Sequence, residues 1–156
     1  MKPEPTHLRI DRDGAWFANG IPVTHEKILK LFRDSLVCEN GACKIVIDQM
    51  ENPVEVEDAP LSVRAAFLEN TAEGEDIFWL ALSDDRKERL DPATLRFPEA
   101  GAVYCMIQDG RNLQARFSKT ALQHLSNILR QNGDGSLSIE LNGEKYKVDD
   151  GIPQLP

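Results

Sequence analysis

Cysteine is scarce in this chain, with three among 156 residues: Cys38, Cys43 and Cys105. So small and odd a number builds no disulfide framework and suits a reducing compartment, so all three are read as thiols. Long apolar runs are missing too: none exceeds six residues, the length of Ile77–Leu82, where about 20 would be needed to cross a bilayer. No membrane partner is expected. Basic residues are outnumbered, 18 Lys and Arg against 26 Asp and Glu for a net charge of −8, which repels a nucleic-acid backbone. No Gly-rich loop separates a strand from a helix, so phosphate cradling of the P-loop or Rossmann kind is excluded. Four metal donors at paired spacing are absent: Cys38 and Cys43 have four residues between them, with only scattered His7, His25 and His124 to join them. No metal or cofactor is expected. The polar start Met1–His7 holds Pro3 and Pro5 and lacks the basic-then-apolar pattern of an export signal, so a cytoplasmic location is expected.

What is present is an ordinary globular composition, 41% hydrophobic and 28% charged. A chain of this length buries roughly 70% of its extended surface, enough for a core without staples.

The apolar pattern changes period along the chain. Leu8–Ile10 and Ala15–Ala18 flank Asp13-Gly14 and end at Asn19-Gly20, the signature of a β-hairpin. Thr24 stands as a cap before Ile28, Leu29, Leu31, Phe32 and Leu36, whose spacing predicts a helix from about His25 to Val37, stopped by Asn40-Gly41. Cys43, Ile45 and Ile47, then Val54 and Val56, predict a second pair of strands. The carboxyl half repeats this order. Val103–Ile107, Asp109-Gly110 and Leu113–Phe117 form a hairpin, and Ser118 caps a helix with Leu122, Leu125, Ile128 and Leu129 as its stripe. Asp134-Gly135 then leads to Leu137–Leu141, and Asn142-Gly143 closes a last hairpin to Val148. A shift of 94 residues aligns Thr24 with Ser118, Leu31 with Leu125, Gly41 with Gly135, Ile45 with Ile139 and Val54 with Val148 without a gap. Identities are few, and the shared order of cap, stripe, turn and strands is the better evidence of a repeat.

The expected fold is therefore α+β: two intertwined, pseudo-repeated halves, each hairpin, helix, hairpin, with strands shared between them. Residues 1–60 form the first half, 61–98 a connecting segment, 99–150 the second half and 151–156 a frayed tail. Within the connection, Leu61–Leu68 is read as a helix or turn beginning near Pro60. Ile77–Leu82, apolar on both faces, is placed at the junction and covered from two sides, and Ser83–Asp91 is a solvent loop.

Asp13-Gly14, Trp16, Gly20-Ile21-Pro22, Leu31-Phe32 and above all Val56-Glu57-Asp58-Ala59-Pro60 resemble a bacterial family known as domain of unknown function 1285. The likeness runs nearly the whole chain, through Leu95-Arg96-Phe97 and the strand carrying Arg116. The family's Thr-Pro-x-Glu-Lys segment has no counterpart, since Asp48–Pro53 lacks both the threonine and the lysine. The resemblance implies a two-part α+β fold with repeated motifs and long shared strands. It implies no established activity, and a role in sensing or signalling through a bound small molecule.

The candidate ligand-binding residues are Trp16, Glu57, Asp58, Trp79 and Arg116, around a pocket at the junction of the halves. Arg116 supplies the positive group for an anionic ligand. Alternation sends Glu55 and Glu57 to one face, and two nearby carboxylates can hold a metal or divide acid and base roles. The plainer reading makes Asp58 a helix cap and Arg64 its ion partner, and sets Trp16 in the core. Cys105 inside an apolar strand makes a poor nucleophile for His124 to activate. The function expected is a non-catalytic small-molecule-binding or regulatory module. One alternative is a carboxylate-based hydrolase, metal-assisted or not. The other is a protein-interaction module, with a protein partner or a second copy pairing on the open edge of Ser136–Val148.

Overall fold

The structure, a computed structural model, describes residues 6–99, 102–107, 111 and 113–148. The tail reading for 151–156 and the Asp109-Gly110 turn lie outside the described residues.

Strands β1 (Leu8–Ile10) and β2 (Trp16–Ala18) pair antiparallel, and β3 (Ile21–Pro22) follows at the edge. The Asp11 carboxylate closes the first turn by accepting the amides of Asp13 and Ala15, both at 2.9 Å. Helix α1 (Glu26–Ser35) then leads to β4 (Leu36–Glu39), β5 (Ala42–Ile47) and β6 (Met50–Val56). The last of these returns parallel to β1, closing a six-stranded sheet in the order β3-β2-β1-β6-β5-β4.

Three expectations fail in this segment. The helix begins after His25, which makes no side-chain cap, and not after a capping Thr24; it stops at Ser35, two residues before Val37. Asn40 and Gly41, at φ 51° and 83°, are not a helix stop but the two left-handed residues of a hairpin turn. Leu36, 1% exposed, is drawn into the sheet opposite Ile45 by that hairpin. The same turn overturns the reading of three thiols. It sets Cys38 directly opposite Cys43, with Cα atoms 4.1 Å apart, and the two half-buried residues form a disulfide. Cys105 stays a buried thiol.

The second sheet runs β10-β11-β12-β7-β8-β9. Its members are β7 (Leu61–Asn70), β8 (Asp76–Leu82), β9 (Lys87–Arg89), β10 (Arg96–Glu99), β11 (Ala102–Ile107) and β12 (Leu113–Phe117), with a 3-10 turn at Pro92–Thr94. Leu61–Leu68 is thus a strand, not a helix. A bulge between Val63 and Ala65 adds one residue opposite β8, and this breaks the alternation by which a strand is recognised. The strand Ile77–Leu82 lies between β7 and β9, and its two faces are unequally covered. Phe78, Leu80 and Leu82 are buried on the face that joins the core, whereas on the other Ile77 is buried and Trp79 and Ala81 are half-buried. Nor is Ser83–Asp91 a free loop: Lys87–Arg89 pairs with β8 and Ser83 is 1% exposed.

Helix α2 (Lys119–Ser126) starts as expected at Ser118, whose hydroxyl accepts the Ala121 amide at 3.2 Å. Leu129 leaves the helical stripe for β13 (Leu129–Gln131), which pairs with β14 (Leu137–Leu141) and through it β15 (Glu144–Lys147) in a third sheet.

The fold is α+β with two pseudo-repeated halves. Shifted by 94 residues, α1 and the meander β4-β5-β6 fall on α2 and β13-β14-β15. The connecting segment donates β7, β8, β9 and most of β10 to the sheet that holds β11 and β12 of the second half. One continuous core joins the parts, with Leu8, Ile10 and Leu36 from the first half meeting Leu80, Leu113, Leu125 and Ile139. Arg111 ties the halves again: its guanidinium donates to the carbonyls of Arg33 (2.6 Å) and Leu36 (3.3 Å) at the carboxyl end of α1, where a cation complements the helix dipole.

Candidate functional site

Strand register builds the site. Antiparallel pairing of β11 with β12 sets Tyr104 opposite Arg116, and parallel pairing of β12 with β7 sets Arg116 beside Ser62. The link between β6 and β7 carries Asp58 over them. Its carboxylate accepts the Tyr104 hydroxyl at 2.9 and 3.1 Å and the Arg116 guanidinium at 2.7 Å, and the guanidinium carbon lies 5.8 Å from the Tyr104 ring centre. About three-quarters of both charged side chains is withdrawn from water, 24% of Arg116 and 23% of Asp58 remaining exposed. Charge-assisted hydrogen bonds in so dry a place are short and strong.

Glu57 secures the neighbouring loop. Its carboxylate accepts the Arg12 amide at 2.9 Å and lies 3.6 Å from the Arg9 guanidinium. The loop between β1 and β2 is thereby pressed against the start of β7, where Ser83 Oγ accepts the Ser62 amide at 3.0 Å. A cleft of about 300 Å³ remains where the halves meet, lined by Arg12, Asp13, Ser62, Arg116, Ser118 and Lys119 among others. Three cationic side chains and the amino end of α2 face one carboxylate there. Ser118 fixes the far wall, its hydroxyl also donating to the Arg64 carbonyl at 3.1 Å.

Of the five residues singled out from the sequence, Asp58 and Arg116 meet directly, and Glu57 joins them through Arg12. Trp16 is elsewhere: it is 3% exposed in the core, its ring centre 5.5 Å from that of Phe32. Trp79 stands on the half-open face of β8, donating to Glu69 at 3.3 Å beneath the Lys87 ammonium, which lies 4.3 Å from the ring centre. Asp58 caps no helix, because the chain after Pro60 is a strand. Arg64 turns away from Asp58 and Glu57 and lies 3.6 Å from Asp85. Glu55 meets His7 at 3.2 Å. Burial, with the Asp91 carboxylate nearby, pushes the Cys105 thiol up to about 12, which leaves it un-ionised at neutral pH. Among the described residues no group of three or more His, Cys, Asp and Glu is placed to hold a metal ion, and no helix is long and apolar enough to cross a membrane.

Tyr104, Arg12 and Ser62 belong to the site and were not found from the sequence. A signal for Tyr104 existed: counting outward through the hairpin from Ile107 opposite Leu113 reaches Tyr104 opposite Arg116. Arg12 and Ser62 carried none, since their places depend on how the halves dock.

No family model matches the chain, and neither does any curated protein. Two solved structures are similar to it. A DUF1285 family protein from Silicibacter pomeroyi DSS-3 shares 18% identity at a TM-score of 0.74, over 94% of this chain and 81% of that one. A DUF1285 family protein from Shewanella baltica OS155 shares 20% identity at a TM-score of 0.63, over 78% of this chain and 91% of that one. The chain therefore has the fold of the DUF1285 family proteins.

Proposed function

We propose that the protein is a non-catalytic module that binds a small anionic molecule, a carboxylate or a phosphate, in the cleft between its halves. The observation that carries this reading is Arg116, held in place by Asp58 and Tyr104 and lining a cleft with Arg12, Lys119 and the amino end of α2. A guanidinium already oriented by a carboxylate loses little freedom on binding, and a helix amino end adds amides and a favourable dipole. The carboxylates that a hydrolase would use are engaged elsewhere, Asp58 by Arg116 and Tyr104, Glu57 by Arg9 and the Arg12 amide. Such a module reports the presence of its ligand and so suits a sensing or regulatory role.

Native mass spectrometry of freshly purified protein, set beside the denatured sample, tests this. The expected result is a retained anionic mass that Arg116→Ala loses while its Tm stays within a few degrees of wild type. Bare wild-type protein whose Tm does not respond to added small carboxylates or phosphates overturns the reading.

A further inference from the structure

A larger cleft, about 690 Å³, opens between α1 and the turn that joins β8 to β9. It is distinct from the site at Asp58 and Arg116, and lies within the range of roughly 300–1,000 Å³ usual for small-molecule sites. Three arginines line it: Arg33 from α1, Arg64 from β7 and Arg86 from the turn. Lys30 joins them, and four carboxylates accompany these cations: Glu26, Asp34, which is paired with Lys30 at 2.8 Å, and Asp84 and Asp85 of the turn, which play different parts. Asp84, with 4% of its side chain exposed, accepts the Arg86 guanidinium at 2.6 Å and the Arg86 amide at 3.2 Å, and so belongs to the frame of the turn. Asp85, 76% exposed, divides its carboxylate, one oxygen 3.2 Å from Arg33 and the other 3.6 Å from Arg64.

One exposed carboxylate thus spans two guanidiniums. Arg33 keeps only 16% of its side chain in water, and its buried Nε has no hydrogen-bond partner among the described residues. An arginine that donates to one carboxylate but has given up the hydration of its Nε–H without replacing it is poised for a second oxyanion contact, because an unmet buried donor costs free energy that a ligand oxygen would recover. Asp85 is poorly suited to remain as the occupant. It is a largely hydrated side chain at φ 67°, and a pair so exposed contributes little. Leu29 adds an apolar wall beside the arginines.

We propose that this cleft is a second anion-recognition site, taking a metabolite-sized molecule whose phosphate or carboxylate head sits between Arg33 and Arg64 and displaces the Asp85 side chain. Asp85 holds the two guanidiniums in place in the free protein and competes with the ligand for them. Removing its charge therefore strengthens binding, the reverse of what loss of a structural ion pair does.

The test is titration of isotope-labelled wild-type protein with inorganic phosphate in one arm and succinate in the other, followed through backbone amide shifts. The expected result is saturable perturbation at Arg33, Arg64, Asp85 and Arg86, and the arm with the tighter binding names the head group. Asp85→Asn should tighten binding by roughly fivefold, and Arg64→Ala, at an exposed position that does not threaten the fold, should weaken it at least as much. Arg89→Ala, remote from the cleft, should leave affinity unchanged. The proposal is overturned if neither probe perturbs these amides, if perturbation is confined to the cleft at Arg116, if Asp85→Asn weakens binding, or if Arg89→Ala costs as much as Arg64→Ala.

Discussion

Gly14 lies against Ser83: a Cβ built on it would stand 2.5 Å from both the Cβ and the Oγ of Ser83. The contact sets how the first hairpin docks on the second sheet, and Ser83 cannot retreat, being 1% exposed and bonded to the Ser62 amide. Gly14 also sits at φ 86°, which a residue with a side chain adopts only with strain. Gly14→Ala should destabilise by about 2 kcal/mol or more, measured by urea unfolding. Combined with Ser83→Gly, the loss should be smaller than the sum of the two single losses. A Gly14→Ala protein within ~0.5 kcal/mol of wild type would show that the loop does not hold the halves in register.

The Cys38–Cys43 disulfide closes a short loop, five residues of sequence separation, so its entropic gain is at the low end for such bonds. Reduction, or Cys38→Ser with Cys43→Ser, should lower stability by about 2 kcal/mol. Alkylation of protein denatured without reductant should label one cysteine, Cys105, and all three after reduction. Three labelled cysteines at the outset would mean that the pair stays open in the cell, as a reducing cytoplasm predicts. A closed pair instead places the protein where oxidant is present.

Cys105 makes stability fall at alkaline pH. Its folded value is raised to about 12 by burial, while an unfolded thiol ionises near ~8.5. Stabilisation is therefore complete below about 8.5 and is lost as pH rises toward about 12, because only the unfolded chain releases the proton in that window. The slope should approach, at most, just over ~1 kcal/mol per pH unit. Tyr146, shifted upward by its hydrogen bond to Glu144, acts in the same direction. Cys105→Ala should flatten the dependence whatever it does to absolute stability. Identical slopes for wild type and variant between about pH 8.5 and 11 would show that the thiol titrates alike in both states.

Elements whose signals are local were legible. The hairpin at Asp13-Gly14, the Ser118 cap of α2 and the turns at Asp134-Gly135 and Asn142-Gly143 stand where their residues place them. So does the repeat, because cap, stripe and turn recur at one spacing. Errors arose where a local signal serves two structures. Asn-Gly after an apolar helix face reads as a helix end, yet it is equally a hairpin turn, and once misread it concealed both β4 and the disulfide. The bulge at Arg64 likewise disguised β7 by shifting its alternation by one residue.

By itself, the sequence determined the α+β class and the repeat, and it offered Asp58 and Arg116 among five candidate ligand-binding residues. Class and repeat follow from periodicity and turn chemistry, which act over a few residues. Only the tertiary structure decided that Asp58 would meet Arg116 and Tyr104, that Trp16 and Trp79 would lie apart, and that Arg33 and Arg64 would share Asp85. The physical reason is separation along the chain. Asp58 and Arg116 are 58 residues apart and Arg33 and Asp85 are 52 apart, so neither pair has any local preference to come together. Their meeting is set by which sheets share the core, by parallel pairing of β7 with β12, and by how closely Gly14 lets the first half approach the second.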